Sequence, residues 1–139
     1  MKFLIDTCVV SEFTKPTPRQ SVTDFFLGAD ENKLFISSIT LAELHRGIQK
    51  LTPGQKQTRL LVWLDAIEAQ FANRILSFNP ACAAVWGTMC ASADRRGKSL
   101  SVFDALIAAI ARANNLAVVT RNIDDFAETD VELINPFER

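Results

Sequence analysis

Histidine is almost absent from this chain, and cysteine is sparse and unpaired. His45 is the only histidine, which excludes a multi-histidine metal site and leaves one residue for any imidazole base. Its neighbours on the helical pattern are polar, so it is expected at the surface. Cys8, Cys82 and Cys90 are odd in number and form no C-x-x-C pair, so neither a disulfide framework nor a thiolate zinc site is implied. Free, buried thiols are expected. An excess of positive charge is also missing. Fifteen Lys and Arg stand against sixteen Asp and Glu, for a net charge of −1 and a pI near 5.8. That balance excludes a broad basic surface for gripping nucleic acid and leaves only local patches or a bound cation. No apolar run reaches the roughly 18 residues of a membrane span, and the N-terminus lacks the parts of a secretory signal. A cytoplasmic location without a membrane partner is expected.

What remains is an ordinary globular composition, 48% apolar and 22% charged over 139 residues. Such a chain buries roughly 68 to 70% of its unfolded surface. One domain spanning residues 1–139 is expected, with no internal repeat, low-complexity tract or linker.

Apolar runs at 2–5, 34–37, 75–78, 116–120 and 131–134 read as strands. Between them lie helical patterns: a brief helix over 7–13, one opening at Thr17-Pro18-Arg19-Gln20, one at Thr40-Leu41-Ala42-Glu43, and one over 55–71. Both four-residue openings have the form of capping boxes. Asn79-Pro80 starts a further helix that closes at Arg95-Arg96-Gly97, and Ser101 to Asp104 opens another whose residues 105–113 are apolar on nearly every face. Strands alternating with helices imply an α/β fold with a mainly parallel sheet of four to five strands flanked by helices.

In such sheets functional groups collect beyond the carboxyl ends of the strands. Asp6 ends the first strand, Glu43 follows the second, and Asn122 with Asp125 follows the 116–120 strand. Asp104, in the first turn of the apolar helix, joins them only if that helix packs so. Each acid also has a local explanation: Asp6 as a helix cap, Glu43 and Asp104 as the returning acids of capping boxes with Thr40 and Ser101. Together, however, several carboxylates at one edge repel one another unless protons or a cation intervene. Oxygen donors without His or Cys suit Mg²⁺ or Mn²⁺. A divalent ion there would polarise a phosphoryl oxygen and activate water, pointing to phosphate-ester hydrolysis.

FLIDTCVVSE, ISSITLAEL, SVFDALIAAIARANNLAVVTRNIDDF and VELINPF, in that order, resemble the PIN-domain ribonuclease toxins of the VapC type, including FitB-type members. The resemblance implies a PIN-like fold and a metal-dependent endoribonuclease leaving 5′-phosphate and 3′-hydroxyl ends. It also implies neutralisation by a cognate antitoxin, a homodimer, and contact with operator DNA only through the antitoxin. Carried over by position, Asp6, Glu43 and Asp104 match the family's acids, as catalytic residues and metal ligands. The fourth position falls on Asn122, with Asp125 as a carboxylate that can stand in for it. Cys8 occupies a place where many members have Asn. Thr7 and Thr120 suit supporting hydroxyls or simple strand ends, and Arg121, which adjoins the expected site, is expected to contact phosphate ahead of Lys98 and of Arg95 and Arg96, which helix capping and solvation explain equally well. Apolar residues at Val22, Phe25 and Phe26 and at Leu60, Leu61, Trp63 and Leu64 serve either the core or an antitoxin helix. The competing reading is a non-catalytic α/β binding module whose acids only cap helices. A phosphatase ranks last, because Cys8 stands where its second Asp belongs.

Overall fold

Strand β1 (Phe3–Ile5) lies at the middle of a parallel sheet whose order is β3-β2-β1-β4-β5, with β2 at Leu34–Ser37, β3 at Ile75–Leu76, β4 at Ala117–Val119 and β5 at Leu133–Ile134. These positions come from a computed structural model that describes residues 1–138. Arg139, the last residue of the expected domain span, lies outside the described residues. Helices α1 (Thr7–Glu12) and α2 (Gln20–Gly28) connect β1 to β2, α3 (Ser38–Gln49) and α4 (Gln55–Gln70) connect β2 to β3, and α5 (Pro80–Arg95) and α6 (Val102–Ala113) connect β3 to β4. The chain therefore winds outward from β1 to β3, then returns to the other side of β1. That reversal sets a topological switch point between β1 and β4.

Side-chain alternation along the strands divides the core into two layers. Ile5, Leu34, Ile36, Ile75 and Val119 face helices α1 to α4. Leu4, Phe35, Leu76 and Val118 face α5 and α6. The apolar pattern of α6 has the expected result: Ala105 and Ile107 to Ala111 are all buried. Burial of Ile107 and Ile110 contributes about 1.5 to 3 kcal/mol each. Among the described residues no helix is long and apolar enough to cross a membrane.

The ends of α5 and α6 follow from their sequences. Asn79 accepts the Cys82 N–H at 3.0 Å, with Pro80 in the first turn. At the other end Gly97 takes φ +69°, and the Lys98 and Gly97 N–H groups bond to the Ala93 and Asp94 carbonyls. That pairing is a Schellman closure, and a left-handed residue is needed to make it. Asn115, at φ 57°, closes α6 in the same way.

Three local expectations are corrected. Helix α3 begins at Ser38, three residues before Leu41, because Ser37 rather than Thr40 caps it, accepting the Thr40 N–H at 3.0 Å. Glu43 is thus not a returning cap acid. Helix α2 begins at Gln20, with no side-chain cap from Arg19 at its start. The chain there is held instead by buried Glu12, which accepts the Arg19 N–H at 2.8 Å and pairs with Lys15. Strands β3 and β5 are also shorter than the apolar runs that contain them. For β3 the reason is its neighbour: Leu76 pairs with Ser37, where β2 ends and turns into α3.

Candidate active site

Asp6 leaves β1 at the switch point, its N–H bonded to the Val119 carbonyl of β4 at 2.9 Å. Asp6 as a whole is 3% exposed. One oxygen accepts the Thr7 N–H at 2.8 Å and so caps α1, while the other accepts the Thr120 hydroxyl at 2.8 Å. The cap and the site are therefore the same residue, each using one oxygen. Burial pushes the Asp6 pKa up, against the Thr120 and Thr7 hydrogen bonds, and the charge on Asp125 adds to the rise.

Thr7 and Thr120 both support acids. The Thr7 hydroxyl donates to Glu43 Oε1 at 2.7 Å and lies 3.1 Å from the Thr40 hydroxyl, which continues to Ser37 at 3.4 Å. Thr120 is fully buried and also accepts the Asn122 N–H at 3.0 Å. Cys8 Sγ lies 3.6 Å from both Asp6 Oδ2 and the Thr120 hydroxyl, and it accepts the Arg121 N–H at 3.5 Å. Sulfur thus bridges the two sides of the switch point, and burial together with Asp6 pushes its thiol pKa up.

Asp104 is half-buried in the first turn of α6. Its pKa is raised from 3.8 to about 6, first by burial, then by the negative charge of Asp6, with Asp125 and Glu43 adding to the effect. A Ser101 hydrogen bond offsets only part of this. The fold therefore brings Asp6, Glu43, Asp104 and Asp125 into one electrostatic neighbourhood, although Asp104 reaches it across the sheet from the opposite helical layer. Asn122 and Asp125 are exposed on the turn after β4. Arg121 is exposed as well, its guanidinium 3.8 Å over the centre of the Phe137 ring. Phe137 was part of a family-like segment, but nothing in the local sequence linked it to Arg121.

His45 stands on the exposed surface, bonded to Glu68 at 2.9 Å. Cys82 is buried, and Cys8 and Cys90 are partly so. Arg96 pairs with Glu128. Val22 and Leu64 belong to the core, whereas Phe25, Phe26, Leu60, Leu61 and Trp63 are only partly covered.

The donor chemistry fits a hard divalent cation: the groups are carboxylate oxygens, and Asp104, raised first by burial, also feels the negative charges of Asp6, Asp125 and Glu43. Among the described residues no three His, Cys, Asp or Glu side chains form a ready-made metal cage. Glu43 is drawn to Thr7 and Asp6 to Thr120. Magnesium keeps several waters and is bound by one or two carboxylates together with substrate phosphate, so such a cage is not required.

A parallel sheet of this order, with acidic side chains at its switch point, defines a small, doubly wound α/β domain. The family model described as the PIN domain matches residues 3–132, and the chain belongs to that family, as a homologue of VapC- and FitB-type toxins. It is 36% identical over 136 residues to the plasmid stability protein StbB of Pseudomonas syringae pv. tomato, covering 97% of this chain and 98% of that one. To toxin FitB of Neisseria gonorrhoeae it is 35% identical, covering 96% and 97%. To VapC ribonuclease Y4jK of Sinorhizobium fredii it is 30% identical, covering 97% of each. The crystal structure of FitAcB from Neisseria gonorrhoeae superposes with a TM-score of 0.92 at 34% identity, covering 99% of both chains. The structure of FitAB bound to an IR36 DNA fragment gives the same TM-score at 32% identity, covering 99% and 96%.

Proposed function

We propose that this chain, as a single domain over residues 1–139, is a Mg²⁺- or Mn²⁺-dependent endoribonuclease and the toxin of a type II toxin–antitoxin pair. The observation that carries the reading is the meeting of acids at the switch point: Asp104, raised to about 6 first by burial, also feels the charges of Asp6, Asp125 and Glu43. The ribonuclease named among its relatives supports the choice of RNA.

Asp6, Asp104 and Glu43 would hold the ion, with Asn122 or Asp125 as the fourth group. Once bound, the ion supplies charge neutralisation and activation of water for attack on the phosphodiester. The chain's own residues prepare that chemistry. Thr120 and the Thr7 N–H fix the two oxygens of Asp6, and the Thr7 hydroxyl fixes Glu43, so neither acid needs to search for its orientation. Burial beneath the sheet edge limits water around Asp6 and strengthens its field on whatever cation arrives.

The antitoxin would lie against the α1, α3 and α4 side. An apolar cavity of about 370 Å³, lined by Val10, Phe13, Phe26, Trp63 and Phe71, adjoins a depression of about 290 Å³ that reaches Thr7 and Glu43. Trp63 lines both. An amphipathic helix laid there would run from apolar anchors to the acids. The structures of FitAcB and of FitAB bound to an IR36 DNA fragment support an antitoxin partner and a link to DNA; contact with operator DNA only through the antitoxin, and a homodimer, complete the reading.

The test is cleavage of RNA by antitoxin-free protein with and without Mg²⁺ or Mn²⁺, alongside metal-dependent thermal stability. Metal-dependent cleavage is expected. A protein that neither cleaves RNA nor gains stability from either metal is the non-catalytic module instead.

A further inference from the structure

We infer that Arg121, held over the ring of Phe137, forms a subsite for an RNA backbone phosphate next to the acids, with Phe137 as its positioning residue. The inference deepens the ribonuclease reading above and rests on it.

The main chain of Arg121 is anchored to both sides of the switch point. Its N–H donates to Cys8 Sγ, and the preceding residue, Thr120, donates to Asp6. The offset from Asp6 to the start of this side chain is therefore fixed. Its far end is fixed by the aromatic face: at 3.8 Å the guanidinium sits closer to a ring than Arg74 to Phe71, at 4.9 Å, or Lys2 to Phe35, at 5.7 Å. Phe137 itself is 5% exposed, packed into the layer of α1 to α4, and its N–H donates to Asn135 Oδ1 at 2.9 Å. It is a rigid platform rather than a loose tail.

A guanidinium held over a ring still has N–H groups to present, in the fork that matches phosphate oxygens in a two-pronged contact. Among the described residues that fork forms no ion pair, its charge reaching Glu12 only at longer range, whereas Arg74 and Arg96 are both paired. Among the described residues Arg121 is also the one cation lining the depression it shares with Asn122, Asp124, Asp125 and Glu138. A polyanion approaching this otherwise acidic rim has Arg121 to meet it.

Binding of a fluorescein-labelled, mixed-sequence single-stranded RNA is measured by anisotropy over a salt series, in EDTA so that the strand stays intact. Arg121→Ala is expected to weaken binding about tenfold and to reduce the slope of log K against log salt by about 0.7, the release of one counterion from a single strand. Phe137→Leu keeps the charge, so the slope is expected to stay while binding weakens about 2- to 5-fold, the range of a cation–π contact. Phe137→Trp should restore it. Because Phe137 is buried, Arg121→Lys provides a second route at an exposed position: unchanged slope, with affinity lowered as in Phe137→Leu. Wild-type affinity and slope in Arg121→Ala overturn the subsite. Wild-type affinity in both Phe137→Leu and Arg121→Lys overturns the positioning role. If wild-type protein with Mg²⁺ or Mn²⁺ cleaves RNA, those failures touch this inference alone, whereas no cleavage at all removes the ribonuclease reading and the subsite with it.

Discussion

The Thr7 hydroxyl donates to Glu43 Oε1 at 2.7 Å, joining the first residue of α1 to an acid more than a turn into α3. Thr7 follows Asp6 directly, so one residue links two of the acids, its N–H to Asp6 and its hydroxyl to Glu43. Thr7→Val preserves the shape and removes the hydroxyl. A loss of about 1 to 2 kcal/mol in urea unfolding is expected, the scale of a partly exposed hydrogen bond to a charged group. Thr7→Ser should retain most of it. Equal stability of Thr7→Val and wild type would show that the contact contributes nothing.

Asp6→Asn tests the central acid. An amide can still accept the Thr7 N–H, and the buried charge is removed, so circular dichroism and the melting transition should remain those of a folded protein. RNA cleavage is expected to fall by at least about 100-fold, the effect of losing one catalytic group. Retention of wild-type cleavage would remove Asp6 from the essential set.

Acid and metal should act on stability through Asp104. Its pKa in the folded chain, about 6, lies above the unfolded value of 3.8. Between those values the folded state holds the extra proton, so this contribution is complete below pH 3.8 and is lost as pH rises to about 6. Asp104→Asn should therefore lack a decline that wild type shows across that window. Glu12 runs the opposite way. Lys15 and the Arg19 N–H hold its carboxyl below the usual range, and its contribution is lost on acidification below 4.5. Added Mg²⁺ should stabilise wild type more at pH 7 than at pH 5, because Asp104 must shed its proton to coordinate. Chelation by EDTA should reverse that gain, and an equal effect at both pH values would sever the link between Asp104 and the metal.

Trp63 should anchor the antitoxin. Trp63→Ala is expected to weaken a co-expressed antitoxin complex by about 2 kcal/mol or more, as for an aromatic residue at the centre of an interface. Titration calorimetry would measure the change, and RNA cleavage should then resist suppression by antitoxin. An unaltered binding constant would place the partner elsewhere.

Much of this molecule was legible along the chain because its signals are local. The period of the apolar residues marked each strand and helix, and Asn79-Pro80 and Gly97 marked the ends of α5. Where two local signals competed, pattern alone chose wrongly. Ser37 and Thr40 are both good caps, and only the end of β2 decides that Ser37 takes the role.

The sequence by itself determined the order of elements, the parallel α/β class, and the placing of Asp6 at the end of β1, since these depend on neighbours within a turn or two. The tertiary structure decided which groups meet. Thr120 reaches Asp6 across 114 residues and Thr7 reaches Glu43 across 36, distances closed by strand pairing and crossover packing that no short motif encodes. Asp104 joins from the opposite layer because α6 is buried against the sheet. Arg121 finds Phe137 because β5 brings the end of the chain back beside β4.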